Sequence, residues 1–110
     1  MMRHKITLPQ LKKYDITQKV IMALADAESR VILFSIIRKG KTASDLSGSL
    51  KIPLSSVYKK LSDLENLTLV RVEKTILSEK GRRFKVYRSR INKAEISIKK
   101  PEPTLSLSAN

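Results

Sequence analysis

Hydrophobic residues recur at helical spacing near the start of the chain. Ile16, Val20 and Leu24 are each four residues apart, and this period predicts a helix over about 16–25. The tetrapeptide DITQ, which begins at Asp15, has the residue types of a capping box, in which side chains satisfy the first free N–H groups of a helix. We therefore expect the first helix to begin directly after Asp15.

A second apolar run extends from Val31 to Ile37. Acidic residues precede it, and negative charge is favourable at a helix N-terminus. The pattern predicts a helix that begins between Asp26 and Ser29. Basic residues end the run, and Gly40 then predicts a left-handed glycine stop.

The following segment predicts two more helices separated by a short break. Thr42 and Asp45 form an N-terminal capping pattern, because the threonine oxygen can accept a hydrogen bond from the first turn. Pro53 interrupts the helical pattern, since proline has no N–H and disfavours helix in the residue before it. Apolar residues with gaps of three and four residues then predict a helix from about Leu54 to Asn66.

Two helices joined by such a tight turn are typical of a helix-turn-helix, in which apolar residues at fixed offsets meet. The residues at these offsets are Leu46, Leu50, Ile52, Val57 and Leu61. The second helix presents small polar, aromatic and cationic side chains outward, which suit a helix in the major groove. These side chains are Ser55, Ser56, Tyr58 and Lys59, with Ser62 as a further candidate.

Beyond Thr68 the composition becomes rich in β-branched residues and predicts strands. We expect a β-hairpin that pairs residues 69–77 with 83–90, joined by the turn SEKG. The fold class is therefore α+β: a winged helix-turn-helix, with a helical core and a C-terminal hairpin wing.

The two ends of the chain are predicted to lie outside this domain. Residues 1–14 read as a basic flexible arm, and 100–110, which begins just before Pro101, reads as a disordered tail. The domain itself then spans 15–99. Alternating residues over 94–98 predict a third short strand or an extended segment.

The net charge of +13 is distributed unevenly. Residues 15–66 carry eight Lys/Arg against six Asp/Glu, whereas 67–90 carry eight against two, and 1–14 carry four against none. A domain this basic attracts polyanions, and nucleic acid is the commonest polyanion in a cell. Ribosomal proteins, membrane-surface proteins and binders of acidic partners share this charge, so it favours nucleic acid without deciding it.

Several classes of chemistry find no support in the sequence. The absence of Cys excludes disulfides, thiolate metal sites and cysteine nucleophiles. There is one His, and no carboxylate pair or His-centred triad, so we expect neither an enzyme nor a cofactor or metal site. The longest apolar stretch, Val31–Ile37, is too short to span a bilayer, and no signal peptide is visible. We expect a cytoplasmic, nucleoid-associated protein.

The segments ALADAESRVILFSIIRKG and SSVYKKLSDLENLTLV resemble the second-helix region and the recognition helix of the ArsR-like branch of winged-helix regulators. Tyr58 resembles regulators common in archaea. The glycines frequent in that family at the turn and before the wing are Lys51 and Thr68 here. The Cys and His clusters of the metal-sensing members are absent, so the resemblance implies a member that does not sense metal.

The resemblance also implies roles for individual residues. It implies that the DNA bases are contacted by Ser55, Ser56, Tyr58 and Lys59. Phosphate contacts fall to Thr42, Ser44 and Lys60. The wing residues beside the minor groove are Lys80, Arg82, Arg83 and Lys85.

These inferences predict a sequence-specific regulator that binds double-stranded DNA as a homodimer. Residues 6–25 and 91–99 are the expected dimer surface, because the helix-turn-helix and the wing would face DNA. Two alternatives remain at this stage. One is a winged-helix adaptor that docks an acidic protein, and the other is a non-specific, chromatin-type DNA binder.

Overall fold

The computed structural model describes residues 8–110, with side chains from residue 16 onward. In this part of the chain, helices come first and antiparallel hairpins follow, which confirms the predicted α+β class. The elements are α1 (Leu8–Ala25), α2 (Ala27–Ser35), α3 (Ala43–Leu50), α4 (Leu54–Asn66), β1 (Val70–Leu77), β2 (Arg83–Ser89), β3 (Ile91–Ser97) and β4 (Thr104–Ala109).

The helical core is built from aliphatic side chains on α2, α3 and α4. The apolar positions predicted to join the two helices of the helix-turn-helix include Leu46, Val57 and Leu61, and all three are at most 1% exposed. They pack in one cluster with Ile32 and Leu33 of α2. Full burial of one such side chain stabilises the fold by about 1.5–3 kcal/mol. This packing therefore fixes the orientation of α4 relative to α2 and α3.

The N-terminus of α3 is capped as its sequence predicts. The Thr42 hydroxyl accepts a hydrogen bond from the Asp45 N–H at 3.1 Å, and the Asp45 carboxylate accepts one from the Thr42 N–H at 3.2 Å. The helix ends at Lys51, which has a left-handed backbone with φ of 56°. Helix α4 then spans Leu54–Asn66, the predicted bounds.

Helix α2 ends at Ser35, so the predicted stop at Gly40 is wrong. The segment after α2 pairs instead with β2: Lys41 and Tyr87 exchange backbone hydrogen bonds of 3.1 and 2.9 Å. A Cβ on Gly40 would lie 2.7 Å from Cγ1 of Val86. Position 40 therefore needs glycine because the backbone there passes too close to β2 for a side chain, and not because the backbone is left-handed.

The wing is the hairpin of β1 and β2, in the register that pairs Leu77 with Arg83 and Val70 with Ser89. Its strands agree with the predicted segments to within one residue at each end. The register shifts by one residue at Glu73, which is a β-bulge. The tip turns at Gly81, whose φ is 78°, a value that glycine adopts without a steric cost.

Helix α1 begins at Leu8, eight residues before the predicted start at Ile16. Asp15 therefore lies inside the helix, and the predicted capping box is wrong. Of the predicted arm, residues 8–14 are helical, and 1–7 lie outside the described residues. Pro9 suggested an irregular arm, but it falls in the first turn, where the N–H that proline lacks has no helical partner anyway.

The predicted disordered tail over 100–110 is also wrong, because Thr104–Ala109 form β4 and pair with β3. The two prolines, Pro101 and Pro103, lie in the connection between these strands. Asn110 fastens the end of the hairpin: its side-chain amide donates to the carbonyls of Ile37 at 2.8 Å and Ser89 at 3.0 Å. The folded part therefore extends beyond residue 99.

Candidate nucleic-acid interface

A cleft of about 250 Å³ lies between the N-terminus of α3, the middle of α4 and strand β2. Five of the predicted site residues come together here: Thr42, Ser44, Tyr58, Arg83 and Lys85. The other described residues of its lining are Ala43, Phe84 and Tyr87, so none of the described acidic side chains lines the cleft. The cleft combines two cations, hydroxyl groups and aromatic rings. It is therefore suited to bind a nucleic acid, whose backbone is a polyanion and whose base edges are exposed in the grooves.

The wing cations reach the cleft through the alternation of strand β2. Arg83, Lys85 and Tyr87 are two residues apart and therefore share one face of the strand. Tyr87 is buried and bonded through its backbone to Lys41, so it anchors this face to the helical core. Arg83 and Lys85 lie nearer the tip of the wing than Tyr87 does, and both are exposed.

Two tyrosines form the inner wall of the cleft. Tyr58 is 48% exposed on α4, whereas Tyr87 is only 6% exposed. Burial raises the pKa of the Tyr87 phenol, and the nearby Glu65 and Tyr58 raise it further. Tyr87 therefore stays neutral and supports the wall, while Tyr58 offers an accessible ring and hydroxyl.

Helix α4 presents one row of exposed polar side chains on the side opposite its buried residues. The row follows gaps of four, three and four residues, which keep side chains on one helix face. Its members are Ser55, Lys59, Ser62 and Asn66. The sequence prediction chose Ser55 and Lys59, left Ser62 as a further candidate and missed Asn66, although the helical spacing from Ser55 would have found it.

Two further predicted residues of α4, Ser56 and Lys60, lie on a different side of the helix. Together with Lys59 at the border of the polar row, they line a second cleft of about 770 Å³, between α4 and the first two helices. Three carboxylate residues, Asp26, Glu28 and Asp63, also line it. The mixed charge of this cleft makes it a poorer site for a polyanion than the cleft at the wing.

Lys60 is already paired in the fold. Its Nζ lies 2.7 Å from Oδ2 of Asp26 and 3.7 Å from Oε1 of Glu28. The hydrogen bond to Asp26 raises the pKa of Lys60, so the ammonium stays charged within this cluster. The structure thus gives Lys60 a role in joining α4 to α2, and the phosphate contact expected from the sequence stays a prediction.

The remaining two predicted cations, Lys80 and Arg82, are exposed at the wing tip. The turn that carries them is closed by a backbone hydrogen bond from Ser78 to the Arg82 carbonyl, at 2.8 Å. The Arg82 N–H also donates to the Ser78 hydroxyl at 3.0 Å. These bonds order the backbone of the tip and leave its cationic side chains directed away from the core.

One basic residue of the wing has a structural role. Arg88 donates to Glu73 at 2.8 Å and to the Ile37 carbonyl at 2.9 Å. The Arg88 guanidinium is the main cause of the lowered pKa of Glu73. Arg88 therefore holds the bulge of β1 against the end of α2 and is not part of the exposed cationic surface.

Among the residues that the structure describes, no helix is both long and apolar enough to cross a membrane. Over the same residues, no group of three or more His, Cys, Asp or Glu side chains is placed to hold a metal ion.

Comparison with known proteins shows the fold. No family model matches the sequence, and no curated protein matches it. Among solved structures, the chain is similar to the crystal structure of NolR from Sinorhizobium fredii, with a TM-score of 0.61. The two are 18% identical, and the match covers 79% of this chain and 81% of NolR. The fold is that of the winged helix, as the sequence predicts.

Proposed function

We propose that this protein is a sequence-specific regulator of transcription that binds double-stranded DNA. The observation that carries the proposal is the acid-free cleft in which Thr42, Tyr58, Arg83 and Lys85 meet between α3, α4 and the wing. The similar structure, NolR, is a winged-helix transcription regulator, which agrees with this function. No enzymatic activity, metal or cofactor is part of the proposal, and the nucleoid is the expected location.

In the proposed complex, α4 lies in the major groove. Its polar row, with Ser55 and Lys59 at the start and Ser62 behind them, faces the base edges, and Tyr58 reaches the groove wall from the cleft. The N-terminus of α4 has no side-chain cap, so its first N–H groups remain available for a phosphate. Thr42 and Ser44 contact the backbone from the start of α3.

The wing lies along the backbone beside the minor groove in this proposal. Arg83 and Lys85 contact phosphates next to the cleft, and Lys80 and Arg82 contact phosphates near the tip. We further propose a homodimer, whose two wings and recognition helices α4 would reach half-sites about one helical turn apart.

Fluorescence anisotropy tests the wing assignment. Each phosphate contact contributes about one unit to the slope of log affinity against log salt. We expect Arg83→Ala with Lys85→Ala to lower that slope by about four units, two for each subunit of the proposed dimer, and to weaken binding to all sequences alike. Lys99→Ala with Lys100→Ala removes the same charge from the connection between β3 and β4 and should change the slope much less.

Binding to a genomic duplex library, with random duplex as competitor, tests sequence specificity. We expect tight binding to a few fragments that survives excess random DNA, and we expect Tyr58→Ala to reduce this preference by about tenfold, or ~1.4 kcal/mol. Equal, steeply salt-dependent binding to every duplex would instead indicate a chromatin-type binder. An absence of binding at moderate salt would indicate a protein adaptor.

A further inference from the structure

The hairpin of β3 and β4 ends in an open edge. Among the described residues, β4 is hydrogen-bonded only to β3, so the other side of its backbone has no strand beside it. Soluble proteins usually protect such edges with lysine, proline or a bulge. Thr104–Ala109 contain neither lysine nor proline. The register shift of the hairpin lies in the other strand, β3, between Ile91 and Lys93.

One face of this hairpin is apolar and incompletely covered. The register pairs Ala94 with Leu107 and Ile96 with Leu105, so these four side chains share a face. Leu105 and Ala94 pack against the core, whereas Ile96 is 42% and Leu107 40% exposed. A two-stranded hairpin is marginally stable by itself, and additional strands stabilise it.

The charge of the hairpin favours a second copy of this chain as the added partner. The chain carries a net charge of +13, so most of its surface repels another copy. Residues 104–110 carry no charge, and Lys93 and Glu95 on β3 form an ion pair of 2.8 Å. The strands of this hairpin are therefore a place where two copies can meet without bringing like charges together.

The sequence of β4 is also self-complementary. Thr104–Ser108 reads TLSLS, an alternation that is symmetric about Ser106. Antiparallel pairing centred on Ser106 places Leu105 opposite Leu107 of the partner subunit, and the reverse pair follows from the two-fold axis. All four leucines then lie on one face, beside Ile96 of each copy.

We propose that two copies of this chain pair through the open edges of their β4 strands and form a continuous four-stranded antiparallel sheet. The inference rests on the homodimer proposed above and names its contact. The proposed contact, Thr104–Ala109, differs from the dimer surface expected from the sequence, which was 6–25 together with 91–99. It does not depend on binding to DNA.

Single cysteines test the register, because the natural chain has none. In the proposed pair the two copies of residue 106 face each other with Cα atoms about 4.5–5.5 Å apart, within the span of a disulfide. Ser106→Cys should therefore form a disulfide-linked dimer under mild oxidation. Ser108→Cys is the control, since its two copies would be about 13 Å apart along the strands and should link much less.

The association state in solution tests the interface itself. Sedimentation of the natural chain should show a dimer, and Leu107→Lys should give a monomer that keeps its far-UV circular dichroism. Asn92→Lys adds the same charge to an exposed position on β3 and should leave the dimer intact.

Three results would overturn the inference. One is a natural chain that remains monomeric at about 100 μM, since a dimer forms by mass action. Another is a Leu107→Lys variant that still dimerises. The third is cross-linking of Ser108→Cys as fast as that of Ser106→Cys. If the natural chain forms the dimer but does not bind DNA, the proposed function is wrong while the proposed dimer contact stands.

Discussion

The Asp26 carboxylate accepts a hydrogen bond from the Lys60 ammonium at 2.7 Å and so joins the start of α2 to the middle of α4. The same oxygen also caps α2, because it accepts from the backbone N–H of Ser29 at 3.0 Å and from its hydroxyl at 2.7 Å. One side chain thus holds α2 and α4 in a fixed relative position.

Acid should weaken this connection. The hydrogen bonds from Lys60 and Ser29 lower the pKa of Asp26 from its ordinary 3.8 to about 2. Because the folded pKa lies below the unfolded one, Asp26 stabilises the fold above pH 3.8, and this contribution is lost as the pH falls towards 2.

Thermal unfolding of the natural chain and of Asp26→Asn, followed from pH 6 to 2, measures that loss. Asparagine still caps a helix but carries no charge, so the variant isolates the ion pair. The natural chain should have the higher Tm at pH 6, and the difference should shrink towards pH 2. A difference independent of pH would contradict the role assigned to the Asp26 carboxylate.

Lys59 and Lys60 are adjacent in the chain, but we expect their removal to have different effects. Lys60→Ala leaves Asp26 without its partner and should lower the Tm while changing the salt slope of DNA binding little. Lys59 lies in the exposed row of α4, so Lys59→Ala should keep the Tm and reduce the salt slope by up to about two units, one for each subunit of the proposed dimer. The two variants, measured by thermal unfolding and by anisotropy, serve as controls for each other.

Gly40→Ala should destabilise the fold, because the new methyl group would lie 2.7 Å from Cγ1 of Val86 and 3.2 Å from the Tyr87 carbonyl oxygen. Overpacking of this kind costs about 1–3 kcal/mol. Gly48→Ala is the matched control: its Cβ would meet nothing within 4 Å. Since Gly48 lies within α3, alanine there should stabilise by up to about 1 kcal/mol. Urea unfolding measures both, and equal effects would refute the close approach at Gly40.

Thr68→Gly should stabilise the protein. Thr68 has a φ of 61°, in the left-handed region that a β-branched residue enters only with strain. Glycine removes that strain, and after the entropy of the freer unfolded chain is subtracted we expect a gain of about 0.5–1 kcal/mol in the free energy of unfolding. Thr75→Gly, in the extended backbone of β1, should instead destabilise. A loss of stability in Thr68→Gly would contradict the assigned strain.

Asn110→Asp should loosen the hairpin of β3 and β4. The substitution keeps the shape of the side chain but removes the amide donor that bonds the carbonyls of Ile37 and Ser89. We expect a loss of at least about 2 kcal/mol, because two bonds of about 1 kcal/mol each are removed and a carboxylate oxygen then faces two carbonyl oxygens. Hydrogen exchange of the β4 amides should accelerate while that of the α4 amides stays slow, and uniform acceleration would show that the hairpin does not open separately.

The sequence predicted those elements whose signals are local. The gaps of three and four residues in α4, the reciprocal cap at Thr42 and the turn at Gly81 were sufficient, because each concerns neighbours along the chain. The family resemblance adds a further case: its two missing glycines are Lys51 and Thr68, and these are the described non-glycine residues with positive φ. Five residues that line the cleft had been named as site residues, four of them from the family resemblance alone, and their role in binding DNA stays a prediction.

The sequence predictions that are wrong share a physical cause. Gly40 suggested the end of a helix, but sheet bonds between Lys41 and Tyr87 end α2 earlier. The alternating leucines of β4 were taken for a disordered tail, because a strand gains its hydrogen bonds only from a partner, here β3. Local sequence does not report such partners.

By itself, then, the sequence determined the helix-turn-helix, the wing and the concentration of positive charge, since periodicity and composition act over a few residues. Tertiary structure decided which cations remain available: Lys60 is bound by Asp26, 34 residues away in the chain. It also decided that the folded part continues past residue 99, where Asn110 contacts Ile37, 73 residues away in the chain. Contacts over such separations depend on how the core packs, and no local pattern of residues specifies them.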